Sequence, residues 1–101
     1  MSKQRVAIVG TGQTFHKSHR PDVNGQELIN EAVQAALADA DLGIDEIDAV
    51  VIGNMDHFEG INYVDCWSVD SCGGFMKPVI KLTTGGTTGS SLAIGGYHMV
   101  A

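Results

Sequence analysis

The sequence predicts an α/β fold, in which parallel β-α-β units are followed by a buried helix after the third strand. Three observations carry that prediction. QRVAIVG at 4–10 and DAVVIG at 48–53 are continuous apolar, β-branched runs of the kind found in strands covered on both faces. A capped stretch of helical spacing separates them, so a parallel pair joined by a crossover helix is the expected topology. A third run, PVIKLTT at 78–84, feeds a Gly- and Thr-rich turn and then a segment with hardly any charge. A helix that is apolar all round is a buried one.

Taken in order, the first strand ends in VGTGQTF at 9–15, whose glycines let the chain leave the sheet closely packed. Asn24 then caps a helix, with Glu27 three residues on completing a capping box. Leu28, Ile29, Ala32, Val33, Ala36, Leu37 and Ala40 recur at helical spacing, and the helix is expected to end near Asp41 with Gly43 as its stop. Glu27, Glu31, Gln34 and Asp39 read as its solvated face. Residues 54–77 hold Asp56, His57, Glu59, Asp65, Asp70, both cysteines and the single Trp without a clean period. They read as a long excursion with one short helix, of the kind that covers a substrate or a partner. Pro78 stands at the start of the third strand, where a missing N–H does least harm. From Thr87 onward Leu92, Ala93, Ile94, Tyr97, Met99, Val100 and Ala101 make the last helix.

Composition narrows the function classes. A chain of 101 residues with 44% apolar and 18% charged residues suits one globular domain, not two. Six Lys and Arg against twelve Asp and Glu give a net charge of −6, which argues against nucleic acid and anionic membrane as partners. No apolar run approaches the ~20 residues that cross a bilayer, and the N-terminus reads as neither a signal nor a transit peptide. A cytoplasmic location is therefore expected. Cys66 and Cys72 fit no common metal knuckle and are expected as free structural thiols. A helix buried on every side needs more layers than the preceding residues supply. The expectation is a single partial domain over 1–101, the N-terminal portion of something larger or one member of an assembly.

Three readings compete for TTGGTTGSSLA at 83–93: a phosphate cradle, a nucleophile elbow without its nucleophile, and a flexible connector. The phosphate loop fails on residues, because the fifth position after Gly85 is Ser90 and no Lys follows. Backbone amides at a helix N-terminus can still hold an anion or a developing enolate oxygen. VGTGQTF begins like a dinucleotide fingerprint, but Phe15 takes the third glycine position and the helix opens only near Gly25. His16 and His19 read as loop histidines, and no metal site is expected. His57, between Asp56 and Phe58, is a candidate substrate-binding residue whose protonation its neighbours could tune.

The whole order resembles the N-terminal portion of the thiolase superfamily: VAIVGTGQT, a capped Ala-rich helix ending ADADLGIDEIDAVVIGN, then a strand, a Gly-rich turn and an apolar helix. LGIDEIDAVVIGN at 42–54 carries most of the likeness, and the branch it is most similar to is the sterol-carrier or lipid-transfer thiolase-like proteins. The resemblance implies a coenzyme A thioester as substrate, no bound cofactor, a homodimer, and a zinc-ribbon/OB-fold accessory subunit. In that pattern a cysteine at the head of a buried helix is acylated, the helix end stabilising its thiolate. Laid on Gly86-Thr87-Thr88-Gly89, the motif keeps its last glycine and the hydroxyl before it, and puts Gly86 at the nucleophile position.

Without that sulfur, the resemblance implies retro-aldol cleavage of a carbon–carbon bond, or degenerate acyl transfer, on an acyl-CoA. Thr87 and Thr88 are the hydroxyls nearest the missing nucleophile, and the amides of Gly85, Gly86 and Thr87 are the donors for an enolate, with Gly89 completing the turn. A non-catalytic assembly subunit is the alternative. The 101-residue chain alone is expected to show no thiolase or aldolase turnover.

Overall fold

A computed structural model describes residues 4–15, 17–55 and 63–101. The described residues form a small α/β domain. Helix α1 spans Gly25–Ala40, a 3-10 turn follows at Ile44–Glu46, and strand β1 spans Val50–Ile52. A short helix α2, Val64–Trp67, precedes strand β2, Val79–Lys81, and helix α3 closes the chain over Thr88–Val100.

The α1 start is the one the capping box predicts. The Asn24 side chain accepts from Glu27 N at 2.8 Å, and the Glu27 carboxylate accepts from Asn24 N at 3.2 Å. The helix ends at Ala40, beside Asp41 as expected, but the residue that stops it is Asp41 and not Gly43. Asp41 takes the left-handed conformation, φ 56°, and its N–H turns back to Ala38 O at 3.3 Å. Aspartate is one of the few residues that enters this region at modest cost.

Strands β1 and β2 pair in parallel with Val50 opposite Val79, Val51 opposite Ile80 and Ile52 opposite Lys81. Val50 N donates to Pro78 O and Leu82 N to Ile52 O, both at 2.9 Å, extending the ladder at each end. Pro78 is tolerated because the ladder uses its carbonyl and not the N–H it lacks. The crossover between the two strands carries α2, as a parallel pair requires of a long connection.

One expected strand is absent. Residues 4–10 form no ladder, and the sheet among the described residues has two strands where three were expected. The segment is held by α1 instead. Thr11 N donates to the Asp39 carboxylate at 2.9 Å and Phe15 N to Glu31 at 3.0 Å. Gly10 and Gly12 lie so near the helix that a β-carbon on Gly10 would stand 2.7 Å from Ala36 O, and one on Gly12 would meet the backbone of Ala32 and Ala36. A β-branched run has strand propensity only where it finds an edge to pair with, and here Ile8 and Val9 stay 85% and 68% exposed.

Of the helix face expected to be solvated, Glu27, Gln34 and Asp39 are exposed, but Glu31 and Asp39 also take the amides of the N-terminal segment. Glu31 also takes both terminal nitrogens of Arg20, at 3.0 and 3.1 Å, while Arg20 reaches Asp22 through Nε at 3.1 Å. The guanidinium holds the Asp22 and Glu31 carboxyls below their usual range, and the Phe15 amide adds to the effect on Glu31. Arg20 is pushed correspondingly higher, by Asp22 first and Glu31 second.

The best-packed residues lie in the 54–77 excursion. Val64 and Cys72 are 2% and 6% exposed and Ser68 is fully buried. The Ser68 hydroxyl donates to Val64 O, Cys72 N donates to Ser68 O at 2.9 Å, and Gly74 N to Val69 O at 2.8 Å. This chain of local bonds satisfies the backbone polar groups that burial would otherwise strand. Both cysteines are free as expected, Cys66 exposed and Cys72 buried.

Helix α3 forms where expected, but no residue on it is buried. Its inner side meets the sheet at Gly95, where a β-carbon would stand 3.8 Å from Val51 Cγ1 and would strike Leu82 Cδ1. Strand alternation then turns Val50 and Ile52 to the opposite face, toward α1. Beyond the sheet, Tyr97 Oη donates to Gln4 O at 3.2 Å, while Ile94 and Val100 remain 60% and 64% exposed.

Candidate functional site

The C-terminal ends of β1 and β2 converge on the turn at 83–88. In parallel α/β sheets the crevice beyond the strand ends is where ligands bind, because loops there leave the sheet together. Gly53, one residue past β1, makes this convergence possible: a β-carbon would meet Leu82 O at 2.5 Å and Thr88 Cγ2 at 2.6 Å. The next residue, Asn54, accepts from the Thr83 hydroxyl through its carbonyl at 3.1 Å. The head of α3 is thereby tied to the ends of both strands.

Hydroxyls organise the turn. Thr88 Oγ1 donates to Thr84 O at 2.7 Å and accepts from Thr84 N at 3.1 Å, closing a loop around residues 85–87. Thr84 Oγ1 lies 2.8 Å from Thr87 Oγ1 and 3.0 Å from Ser91 Oγ. Thr87 is the N-cap of α3, and its side chain makes no capping bond to the helix. Thr84 has taken that hydroxyl instead.

Gly86 has φ +85°. A side chain is disfavoured there by the backbone conformation and not by crowding, since a β-carbon at Gly85, Gly86 or Gly89 would find nothing within 4 Å. The turn is exposed along 83–87, and no Asp, Glu, Lys, Arg, His or Cys occurs between Lys81 and His98. It can therefore offer backbone and hydroxyl donors near a helix N-terminus, and it cannot by itself supply a base or a thiolate.

The expected site residues fall into two groups. Gly85, Gly86, Thr87, Thr88 and Gly89 lie together on this turn, with Thr88 half-buried and the other four exposed. His57 lies outside the described residues, as does His16. His19 is exposed in the loop before α1, and no group of three or more metal-ligating side chains occurs among the described residues. Nor is any described helix long and apolar enough to cross a membrane.

Sequence reasoning missed the contribution of Gly53, Thr84 and Ser91. The pairing of Thr84 with Thr88 had a visible signal, since hydroxyl residues four apart at a helix start can bridge the turn before it. The closeness of Gly53 to α3 had only a weak one, a glycine at the end of a strand. No protein-family model matches the chain, and no curated protein matches it.

Proposed function

We propose that the chain is part of a thiolase-like acyl-CoA enzyme that cleaves a carbon–carbon bond by a retro-aldol route without cysteine. In that reaction a base removes the β-hydroxyl proton of a β-hydroxyacyl-CoA. The Cα–Cβ electron pair moves onto the thioester carbonyl, releasing an aldehyde or ketone and leaving an enolate, which is then protonated at Cα. The Gly85, Gly86 and Thr87 amides stabilise the enolate oxygen, and the Thr87 and Thr88 hydroxyls border it. Degenerate acyl transfer would use the same donors. The base comes from outside the turn, and His57 is its candidate contributor to the substrate site.

The observation that supports this reading is the placement of an open, uncharged, glycine-rich turn at the ends of two parallel strands and the head of a helix. The dimer, the zinc-ribbon/OB-fold subunit and the cytoplasmic setting belong to the same proposal. Amide resonances test it. Titration with a β-hydroxyacyl-CoA is expected to shift Gly85, Gly86 and Thr87 saturably, with no turnover by the 101-residue chain alone. Shifts that avoid the turn, or that free phosphate reproduces in full, would sink the reading.

A non-catalytic assembly role is the second reading, favoured by the uncovered apolar side of α3. It predicts concentration-dependent self-association together with a turn indifferent to CoA thioesters.

A further inference from the structure

The start of α1 sets the side chain of Asn24 directly before the amide of Gly25. This pairing is reactive, because the Gly25 nitrogen can attack Asn24 Cγ to close a five-membered imide, and glycine has no β-carbon to shield that nitrogen. Packing also favours glycine here. A β-carbon on Gly25 would stand 3.3 Å from Trp67 Cη2, closer than carbon atoms pack at their optimum.

The capping box holds the pair out of the reactive arrangement. Intramolecular attack needs the two atoms close and aligned, and ring closure eclipses Cβ with Gly25 N about the Cα–C bond. Asn24 has φ −93° and ψ 178°, which stands Gly25 N opposite Asn24 N and leaves Cβ staggered to it. Three bonds fix that geometry. Asn24 Oδ1 accepts from Glu27 N at 2.8 Å, its carbonyl accepts from Leu28 N at 3.0 Å, and its N–H donates to the Glu27 carboxylate at 3.2 Å. Asn24 is nevertheless exposed and borders an open cleft with Glu27, so water reaches it.

We propose that Asn24–Gly25 is a site of spontaneous backbone modification, latched by the capping box. When the first turn of α1 opens, a base from solvent takes the Gly25 N–H proton, the nitrogen bonds to Asn24 Cγ, and the Cγ–Nδ2 bond breaks to release ammonia. Water then opens the imide at one of its two carbonyls. Cleavage between Cγ and the Gly25 nitrogen leaves aspartate; cleavage at the other carbonyl leaves isoaspartate, whose main chain runs through the former side chain and is one methylene longer. One water is consumed and one ammonia released. The aspartate still caps α1, because its carboxylate accepts from Glu27 N. The isoaspartate changes the spacing between the cap and Gly25, so the box does not re-form and Gly25 shifts against Trp67. The site is separate from the 83–88 turn and independent of the acyl-CoA reading.

Peptide mapping of the full chain, aged at mildly alkaline pH, is expected to find conversion at Asn24, slower than in the same chain held unfolded in urea. Glu27→Ala removes one bond of the box and is expected to raise the native rate about three- to tenfold, with far-UV circular dichroism retained and the rate in urea unchanged. Gly25→Ala, compared in urea so that folding plays no part, is expected to slow conversion several-fold. Trp67 is the single Trp of the chain, and its emission is expected to follow the isoaspartate fraction while staying native in freshly prepared Asn24→Asp. Equal rates in the native and unfolded chain, or a folded Glu27→Ala no faster than the parent, would overturn the latch. Asn24 intact after ageing in urea, or converting as fast in Gly25→Ala, would overturn the site itself.

Discussion

The stretch from α2 to Gly74 and helix α3 make opposite use of their composition. The first is mixed, carrying Asp65, Asp70, two cysteines and two serines, yet it contains the buried Val64, Ser68, Cys72 and Gly74. The second has no Asp, Glu, Lys or Arg over thirteen residues, yet buries none of them. Apolarity states what a residue gains if it is covered; the number of layers around it decides whether it is. The α2 stretch packs between α1 and the sheet, where Gln26 Nε2 donates to Trp67 O and Asn30 Nδ2 to Ser71 O at 3.3 Å. Helix α3 has the sheet on one side and meets the N-terminal segment where Tyr97 Oη donates to Gln4 O at 3.2 Å, yet Ile94 and Val100 stay largely exposed.

The contrast can be broken most directly by adding a charge to each region. Val64→Asp puts an unpaired carboxylate at a site 2% exposed and is expected to destabilise the fold by about 3 kcal/mol or more, read as a lowered urea midpoint. Ile94→Asp, at a position 60% exposed, is expected to change stability by no more than about 0.5 kcal/mol. Similar losses from both would mean that α3 is covered in solution.

Adjacent glycines sharpen the same point within one helix. Gly95→Ala drives a methyl into Leu82 and is expected to cost about 1–3 kcal/mol. Gly96→Ala meets nothing within 4 Å and is expected to stabilise by up to about 1 kcal/mol through helix propensity. Thermal unfolding of the two variants should move in opposite directions. A loss for Gly96→Ala would place a neighbour against the outer side of the helix.

A smaller effect separates the loop before α1 from both regions. Asp22 and Glu31 have carboxyls held low by Arg20, so their contribution is complete above the ordinary carboxylate range. It is lost as pH falls through their lowered folded values, where the proton binds first to the unfolded chain. Exchange of the Phe15 amide, which donates to Glu31, is expected to accelerate on acidification relative to the pH dependence of an unstructured amide, and Arg20→Ala should bring the acceleration to higher pH. An identical profile in the variant would show that the pair does not hold the loop. The mildest test is thiol labelling: Cys66 is expected to react in the native protein and Cys72 only on unfolding.

What the sequence made legible follows local chemistry. Asn24 and Glu27 specify the start of α1 because capping is settled within four residues. Val50–Ile52 and Val79–Lys81 are recoverable as strands because short β-branched runs bounded by turns carry that signal. The α3 head was legible from Thr87 and the glycines before it. The N-terminal run was misread because its alternatives are tertiary: carboxylates of Glu31 and Asp39, which look like a solvent face, take the amides of Phe15 and Thr11. The burial of Ser68 and Cys72 was equally hidden, since it depends on α1 and the sheet closing over a segment with no period of its own. For the turn, the placement of residues 85–89 between β2 and α3 was legible, whereas the strand-end contacts of Gly53 and Asn54 were not.

Gly86 sets an order on how this turn could change over generations. Its φ of +85° means that any first substitution adding a β-carbon meets backbone strain, while the empty space around it offers no packing gain in return. The left-handed conformation costs an ordinary L-residue about 1–2 kcal/mol, a substantial share of a small domain's margin. A side chain at position 86 would carry that strain inside the loop that the Thr84–Thr88 bonds close. The turn that these hydroxyls shape therefore holds position 86 where any residue with a β-carbon enters uphill.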